Sequence, residues 1–271
     1  MTVFPNAKIN IGLTITGKRS DGYHNIETVL YPLKIYDVLE IIPNPDGEGL
    51  EFSISGESLA IPEEENLCVK AFRLLEERYR LPAVKMHLHK DIPSGAGLGG
   101  GSSDAAYTLR LLNDLFGLGI SREGLKDYAR LLGSDCAFFI DNEPVYAFGK
   151  GDDFRPVRVD LSDYFLVVVM PDLAIATARA YAGVRPRKPL FSLEAKSSNP
   201  PEEWKALVQN DFEETIFKEF PELSGIKESL YAAGALYASM SGSGAAVYGI
   251  FREKVHLPEL EGDCRVFYDA G

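Results

Sequence analysis

One segment constrains this 271-residue chain more than any other: residues 93–106 read PSGAGLGGGSSDAA. Five of the seven residues from Gly95 to Gly101 are glycine. Glycine loses the most backbone entropy on ordering, so such a run is a poor helix and a poor strand. It leads into Ala105, Leu109, Leu112 and Phe116, whose spacing predicts a helix from about Ser103 to Phe116. A glycine backbone lets N–H groups approach a ligand closely, and the helix start that follows carries unpaired N–H groups and partial positive charge. The combination is a phosphate cradle, with Ser102, Ser103 and Asp104 available as caps or ligands. Gly95, Gly97 and Gly100 satisfy G-x-G-x-x-G, but a dinucleotide site wants a buried apolar strand before the glycines and an acidic residue about 20 positions later. Here an alternating strand followed by Lys90 and Asp91 precedes them, and the region 20 residues on is still helix. A Walker loop fails because no lysine follows the glycines.

Charge sharpens the reading. The formal net charge is −12, which repels nucleic acid and anionic lipid and leaves any anionic substrate to find a locally favourable cleft. Neutral N–H donors suit an acidic protein that must hold an anion. With 45% apolar and 25% charged residues, disorder, collagen and coiled coil are excluded. No run of 18 apolar residues predicts a membrane span, and MTVFPNAKIN has no secretory layout. Three scattered cysteines, Cys68, Cys136 and Cys264, predict free thiols in a reducing cytosol.

Along the chain, Ala7, Ile9, Ile11, Leu13 and Ile15 share one parity, which predicts a half-buried strand with Lys8 and Asn10 together on the other face. Further strands are expected at 28–33, 36–42, 50–55, 84–89, 165–170, 235–240 and 245–251. Helices are expected at 64–79, 121–132 (capped by Ser121, stopped by Gly133), 204–217 and 222–233. His87 and His89 share a strand face, which reads as the edge of a sheet rather than a zinc pair. Residues 188–201 read as a surface loop, and a boundary is expected near 149–160. Mixed strands and helices, with alternating early strands, indicate an α+β fold in two parts, residues 1–155 and 156–271.

Pro93-Ser94-Gly95-Ala96-Gly97-Leu98-Gly99-Gly100-Gly101-Ser102-Ser103 resembles the ATP loop of the GHMP kinases, the family of galactokinase and the homoserine and mevalonate kinases. Other stretches support the resemblance in family order: 7–13 (AKINIGL), 17–19 (GKR), 21–24 (DGYH), 132–135 (LGSD), 210–213 (NDFE) and 240–245 (MSGSGA). Ala137 and Ala178 stand where members often carry proline. The pattern is most similar to the members that phosphorylate a cytidyl diphosphate alcohol on the way to isoprenoid precursors.

The resemblance implies an N-terminal mixed sheet with helices and a C-terminal ferredoxin-like sandwich. It implies ATP as co-substrate, held by residues 93–103, with Mg²⁺ near the Ser103 hydroxyl. Asp135 is implied as the general base and Lys8 as the cation beside it, with Asn10 orienting the substrate hydroxyl. Tyr23, His24 and Tyr181 are implied at the cytosine, with the base between Tyr23 and Tyr181. Another small-molecule kinase of the family, or a catalytically silent nucleotide-binding module, is the alternative. The expected partner is a small molecule, with no nucleic acid and no membrane, and the protein a cytoplasmic monomer or weak homodimer. Residues 241–244 (SGSG) read equally as a hairpin turn or as a segment packed on the first glycine loop.

Overall fold

The computed structural model describes residues 1–57, 61–187, 189 and 191–268. Two compact units interleave along the chain: Met1–Ala7 with Ile35–Ser94 and Gly99–Glu143, and Lys8–Lys34 with Gly95–Leu98 and Pro144–Gly271.

The first unit is built on a four-stranded sheet in the order β1 (Thr2–Val3), β4 (Val38–Pro43), β6 (Val84–Lys90), β5 (Leu50–Gly56). Only β5 and β6 run parallel. Along β6, Val84, Met86 and Leu88 are buried while Lys85, His87 and His89 are exposed. The next inward position is Lys90, 2% exposed. His87 and His89 do not lie on an edge strand as expected. β6 is internal, and both rings hydrogen-bond Ser55 of β5, His87 also reaching Ser53.

Helix α1 (Leu67–Tyr79) starts later than its periodicity suggests, because the Asn66 side chain caps the N–H of Cys68 at 2.9 Å. α2 (Gly100–Phe116) starts earlier. Gly99, at φ 72°, is its N-cap, and Gly100 and Gly101 form its first turn. The expectation that the glycines stay outside the helix is therefore corrected. Gly100 is there for space: a Cβ would stand 2.9 Å from Ile92 Cγ2 and 3.1 Å from Lys90 Nζ. α3 (Arg122–Leu132) is capped by Ser121 and stops at Gly133, and α4 (Phe138–Asp141) follows one turn later.

The second unit holds two sheets. One has the order β2 (Asn6–Lys18), β3 (His24–Tyr36), β7 (Val145–Phe148), β8 (Asp153–Pro156). β2 is not half-exposed as its alternation predicts. Every residue from Asn6 to Leu13 is buried, with Lys8 at 3% and Asn10 at 5% exposure. β3 continues to Tyr36, leaving only the fully buried Asp37 before β4.

The other sheet has the order β10 (Tyr237–Met240), β11 (Val247–Phe251), β9 (Phe165–Pro171), β12 (Cys264–Tyr268), all antiparallel. Taken in chain order this is 2-3-1-4, the ferredoxin-like arrangement. β9 lies inside it, which explains its unbroken apolar run. Its Val167 and Val169 share a core with Leu13, Ile15, Phe212, Ile216 and Leu230. Helices α5 (Thr177–Ala182), α6 (Leu193–Ser197), α7 (Pro201–Leu207), α8 (Glu213–Glu219) and α9 (Pro221–Ala232) connect β9 to β10.

Two expectations in this stretch are corrected. Residues 193–197 of the expected loop form α6, while Lys188 and Leu190 lie outside the described residues. The helix expected over 204–217 is two helices, because Asn210 between them bridges to Leu13 as a strand would. Its amide donates to the carbonyls of Met240 and Gly242, each at 2.8 Å, and its oxygen accepts the N–H of Phe212 at 3.0 Å. Beyond Phe251 the chain adds a short helix, α10 (Pro258–Glu261), and the edge strand β12. Cys68 and Cys136 are buried free thiols, and Cys264 is a half-buried one.

Candidate active site

In the second unit the glycine loop is held by its carbonyls. Ala96 O accepts from Ala246 N at 3.1 Å and Leu98 O from Lys8 N at 2.9 Å. Gly97 O accepts from the Lys8 ammonium at 3.0 Å and from the Ser241 hydroxyl at 2.8 Å. Gly95, Gly97 and Gly99 alternate into the left-handed region, at φ 73°, 74° and 72°. A backbone that alternates hands in this way gathers N–H groups into an anion-binding concavity. The SGSG segment therefore packs on the first glycine loop. A Cβ on Gly97 would run into Ser241 O, and one on Gly242 would lie 3.1 Å from Asn10 Oδ1. Gly97→Ala is expected to destabilise the protein by about 1–3 kcal/mol, from backbone strain and the displaced loop. Urea unfolding checks this, and an unchanged midpoint would mean that the loop closes without the contact.

Lys8 sits on β2 with its Nζ 2.5 Å from Asn10 Oδ1. The Asn10 amide in turn donates to Thr28 Oγ1 at 3.0 Å. The expected open face with Lys8 and Asn10 on it is thereby corrected: both side chains are buried and hydrogen-bonded. Of the three residues expected at a base, His24 and Tyr181 stack with centroids 4.7 Å apart and planes 18° apart. Phe212 stands edge-on to Tyr181 at 4.9 Å. Tyr23 is 59% exposed, with Lys150 Nζ 5.6 Å from its ring. Thr177 opens α5, with its hydroxyl 3.4 Å from Ser243 Oγ.

In the first unit, the turn that carries Asp135 is held by the N–H of Cys136 on Gly133 O and that of Phe138 on Asp135 O, each 3.2 Å. It rests against the first turn of α2: a Cβ on Gly133 would lie 3.9 Å from Ser102 Oγ. Burial pushes the neighbouring Cys136 thiol up to about 12, so it stays protonated at neutral pH. Ser103 is not an N-cap but a residue inside α2, fully buried, and its hydroxyl has no hydrogen-bond partner among the described residues. No group of three or more His, Cys, Asp or Glu side chains among the described residues could hold a metal.

Sequence reasoning missed a buried charge cluster beneath the α2 start. The Lys90 ammonium bonds Asp37 Oδ2 and, at 2.7 Å, Asp104 Oδ2. Asp37 Oδ1 also accepts the N–H groups of Asp91 and Ile92, at 2.6 and 2.9 Å. Burial pushes the Asp104 carboxyl up to about 8, against the pull of Lys90 and with a further push from Asp37. Burial would lower Lys90, but Asp104 and Asp37 outweigh it and its pKa is raised. One signal could have found the cluster: Lys90 stands at the inward parity of β6. Thr28 was also missed as a member of the second unit's network, whereas Ser241 and Asn210 were read as parts of motifs without their partners. Single polar residues in apolar segments carry no periodic mark.

The profile of the GHMP kinases N terminal domain matches residues 66–143, and that of the GHMP kinases C terminal domain matches 193–264. The chain is 47% identical to a 4-diphosphocytidyl-2-C-methyl-D-erythritol kinase of Bacteroides thetaiotaomicron, over 100% of the chain and 99% of that protein. It is 48% identical to the same-named kinase of Bacteroides fragilis, over 96% of each. A crystal structure of 4-(cytidine 5'-diphospho)-2C-methyl-D-erythritol kinase superposes with a TM-score of 0.85 at 32% identity, covering 100% of this chain and 98% of that one. The mevalonate kinase of Methanococcus jannaschii has a TM-score of 0.71 at 14% identity, over 99% of this chain and 97% of that one, a likeness of fold.

Proposed function

The chain belongs to the GHMP kinases, within the group of 4-diphosphocytidyl-2-C-methyl-D-erythritol kinases, and from that premise we propose that it transfers the γ-phosphoryl of ATP to the 2-hydroxyl of 4-diphosphocytidyl-2-C-methyl-D-erythritol. The observation that carries the reading is the 47% identity over the whole chain, joined to a built Lys8–Asn10–Gly97 cluster. The family's two segments are proposed to meet near residue 155, which falls between the two profile matches.

Phosphoryl transfer needs positioning, charge neutralisation and a proton acceptor more than covalent help. The backbone of residues 93–101 and the α2 start are proposed to hold the ATP phosphates, with Ser102 and Ser103 completing the loop. Mg²⁺ usually rests on one or two protein oxygens plus substrate phosphates and water. The orphaned Ser103 hydroxyl fits that requirement and would hold it, and the ion when bound supplies neutralisation between the phosphates. Asp135 is proposed to accept the proton of the attacking hydroxyl. Lys8 supplies fixed positive charge for the reaction. Asn10, with its oxygen on Lys8 and one amide proton on Thr28, would meet the substrate through its other amide proton.

His24, Tyr181 and the exposed Tyr23 are proposed to receive the cytosine. Base–aromatic stacking contributes about 1–3 kcal/mol per base. Tyr181→Ala is therefore expected to raise KM for the cytidyl substrate roughly ten- to a hundredfold. KM for ATP should stay within about twofold, since the glycine loop binds it elsewhere. Free CDP should compete with the alcohol and not with ATP. An unchanged KM for the alcohol, or CDP competing with ATP alone, would remove Tyr181 from the base site.

A cytoplasmic monomer or weak homodimer that acts on a small molecule is proposed, with neither nucleic acid nor membrane as partner. The free thiols support the compartment, and no helix among the described residues is long and apolar enough to cross a membrane.

A further inference from the structure

The Lys8 ammonium donates to Asn10 Oδ1 at 2.5 Å and to Gly97 O at 3.0 Å. The first works only if the Asn10 amide is turned one way. Reversed, it would present its NH₂ to the ammonium, donor against donor.

Thr28 decides the direction. Its hydroxyl has one proton, which goes to Gly12 O at 2.6 Å. Towards Asn10 it can then only accept, and the amide nitrogen donates to it at 3.0 Å. The amide oxygen is thereby left facing Lys8. The chain of bonds runs in one sense, from the ammonium to Asn10 Oδ1 and from Asn10 Nδ2 through the Thr28 hydroxyl to Gly12 O. Each member is buried: Asn10 5%, Thr28 1%. In such surroundings an unpaired polar group is costly, and successive hydrogen bonds polarise one another.

The far end is fixed as well. Gly12 takes φ 66°, and a Cβ there would lie 2.7 Å from Val208 Cγ1 and 2.8 Å from Leu193 Cδ1. Glycine permits this left-handed conformation, and the Gly12 carbonyl accepts the Thr28 hydroxyl.

We propose that Thr28 is a positioning residue for the phosphoryl-transfer step: it fixes the orientation of the Asn10 amide and, through it, the place of the Lys8 ammonium. The inference deepens the kinase reading and rests on it.

The test uses the full chain with ATP, Mg²⁺ and the cytidyl alcohol. Thr28→Val keeps the shape and removes the hydroxyl, and Thr28→Ser keeps the hydroxyl. The valine variant is expected to lower kcat about ten- to a hundredfold, with KM for ATP within about twofold of wild type. The serine variant should return kcat to within about threefold of wild type. In a Lys8→Met background, the fold loss caused by Thr28→Val should be at least about threefold smaller than in wild type, because the part that passes through Lys8 is already gone. Equal losses in the valine and serine variants, or a Thr28→Val loss undiminished in the Lys8→Met background, would overturn the positioning role. If Lys8→Met alone leaves kcat unchanged, it is the role of Lys8 in the kinase reading that fails. Should the valine variant not fold, Thr28→Ala is read by the same criteria.

Discussion

Asp135→Asn is expected to lower kcat by about 10²–10⁴-fold while ATP binds almost as before. The substitution keeps the size of the side chain and removes its ability to take a proton. The turn that carries it is held by backbone bonds, Cys136 N to Gly133 O and Phe138 N to Asp135 O, which an amide does not disturb. Melting temperature is measured alongside, to separate loss of chemistry from loss of fold. Steady-state rates with ATP titration by calorimetry check both halves. A near-normal kcat would make Asp135 an ordinary turn aspartate.

Removal of divalent metal is expected to abolish turnover. The triphosphate, the diphosphate-bearing substrate and a protein of net charge −12 leave the transition state with little compensation for its negative charge. Among the described residues, no cluster of three or more His, Cys, Asp or Glu could hold a metal without the nucleotide. The ion should therefore arrive with ATP, so activity should fall in excess chelator and return on adding Mg²⁺. Melting temperature without nucleotide should not respond to the chelator. Undiminished turnover in chelator would contradict the phosphoryl-transfer mechanism.

The glycine loop and its helix are legible because they rest on strong local rules: a glycine run, a helical period, a cap at Ser121 and a stop at Gly133. What stays hidden is tertiary. Gly100 and Gly101 look like loop residues by propensity, yet they begin α2, and at Gly100 it is Lys90 and Ile92 that leave no room for a side chain. Alternation in β2 suggests an open face, but the strand is buried on both faces from Asn6 to Leu13, and Lys8 and Asn10 become buried network members. The 204–217 period reads as one helix because nothing local reveals that Asn210 binds the carbonyls of Met240 and Gly242. The edge strand β12 carries too little periodicity to stand out. Of the site, the residue types are readable in sequence, whereas the Thr28 hydroxyl that orders Asn10 is visible only in the fold.

The central claim, that this chain is a kinase of the cytidyl diphosphate alcohol, is tested most directly by one assay. ATP consumption is measured in the presence of Mg²⁺ with 4-diphosphocytidyl-2-C-methyl-D-erythritol, homoserine or mevalonate as the sole acceptor. Turnover is expected with the cytidyl substrate alone, the two acceptors without a base giving rates at the ATPase background. Turnover with homoserine or mevalonate and none with the cytidyl substrate would contradict the account, as would binding of ATP with no consumption under any of the three.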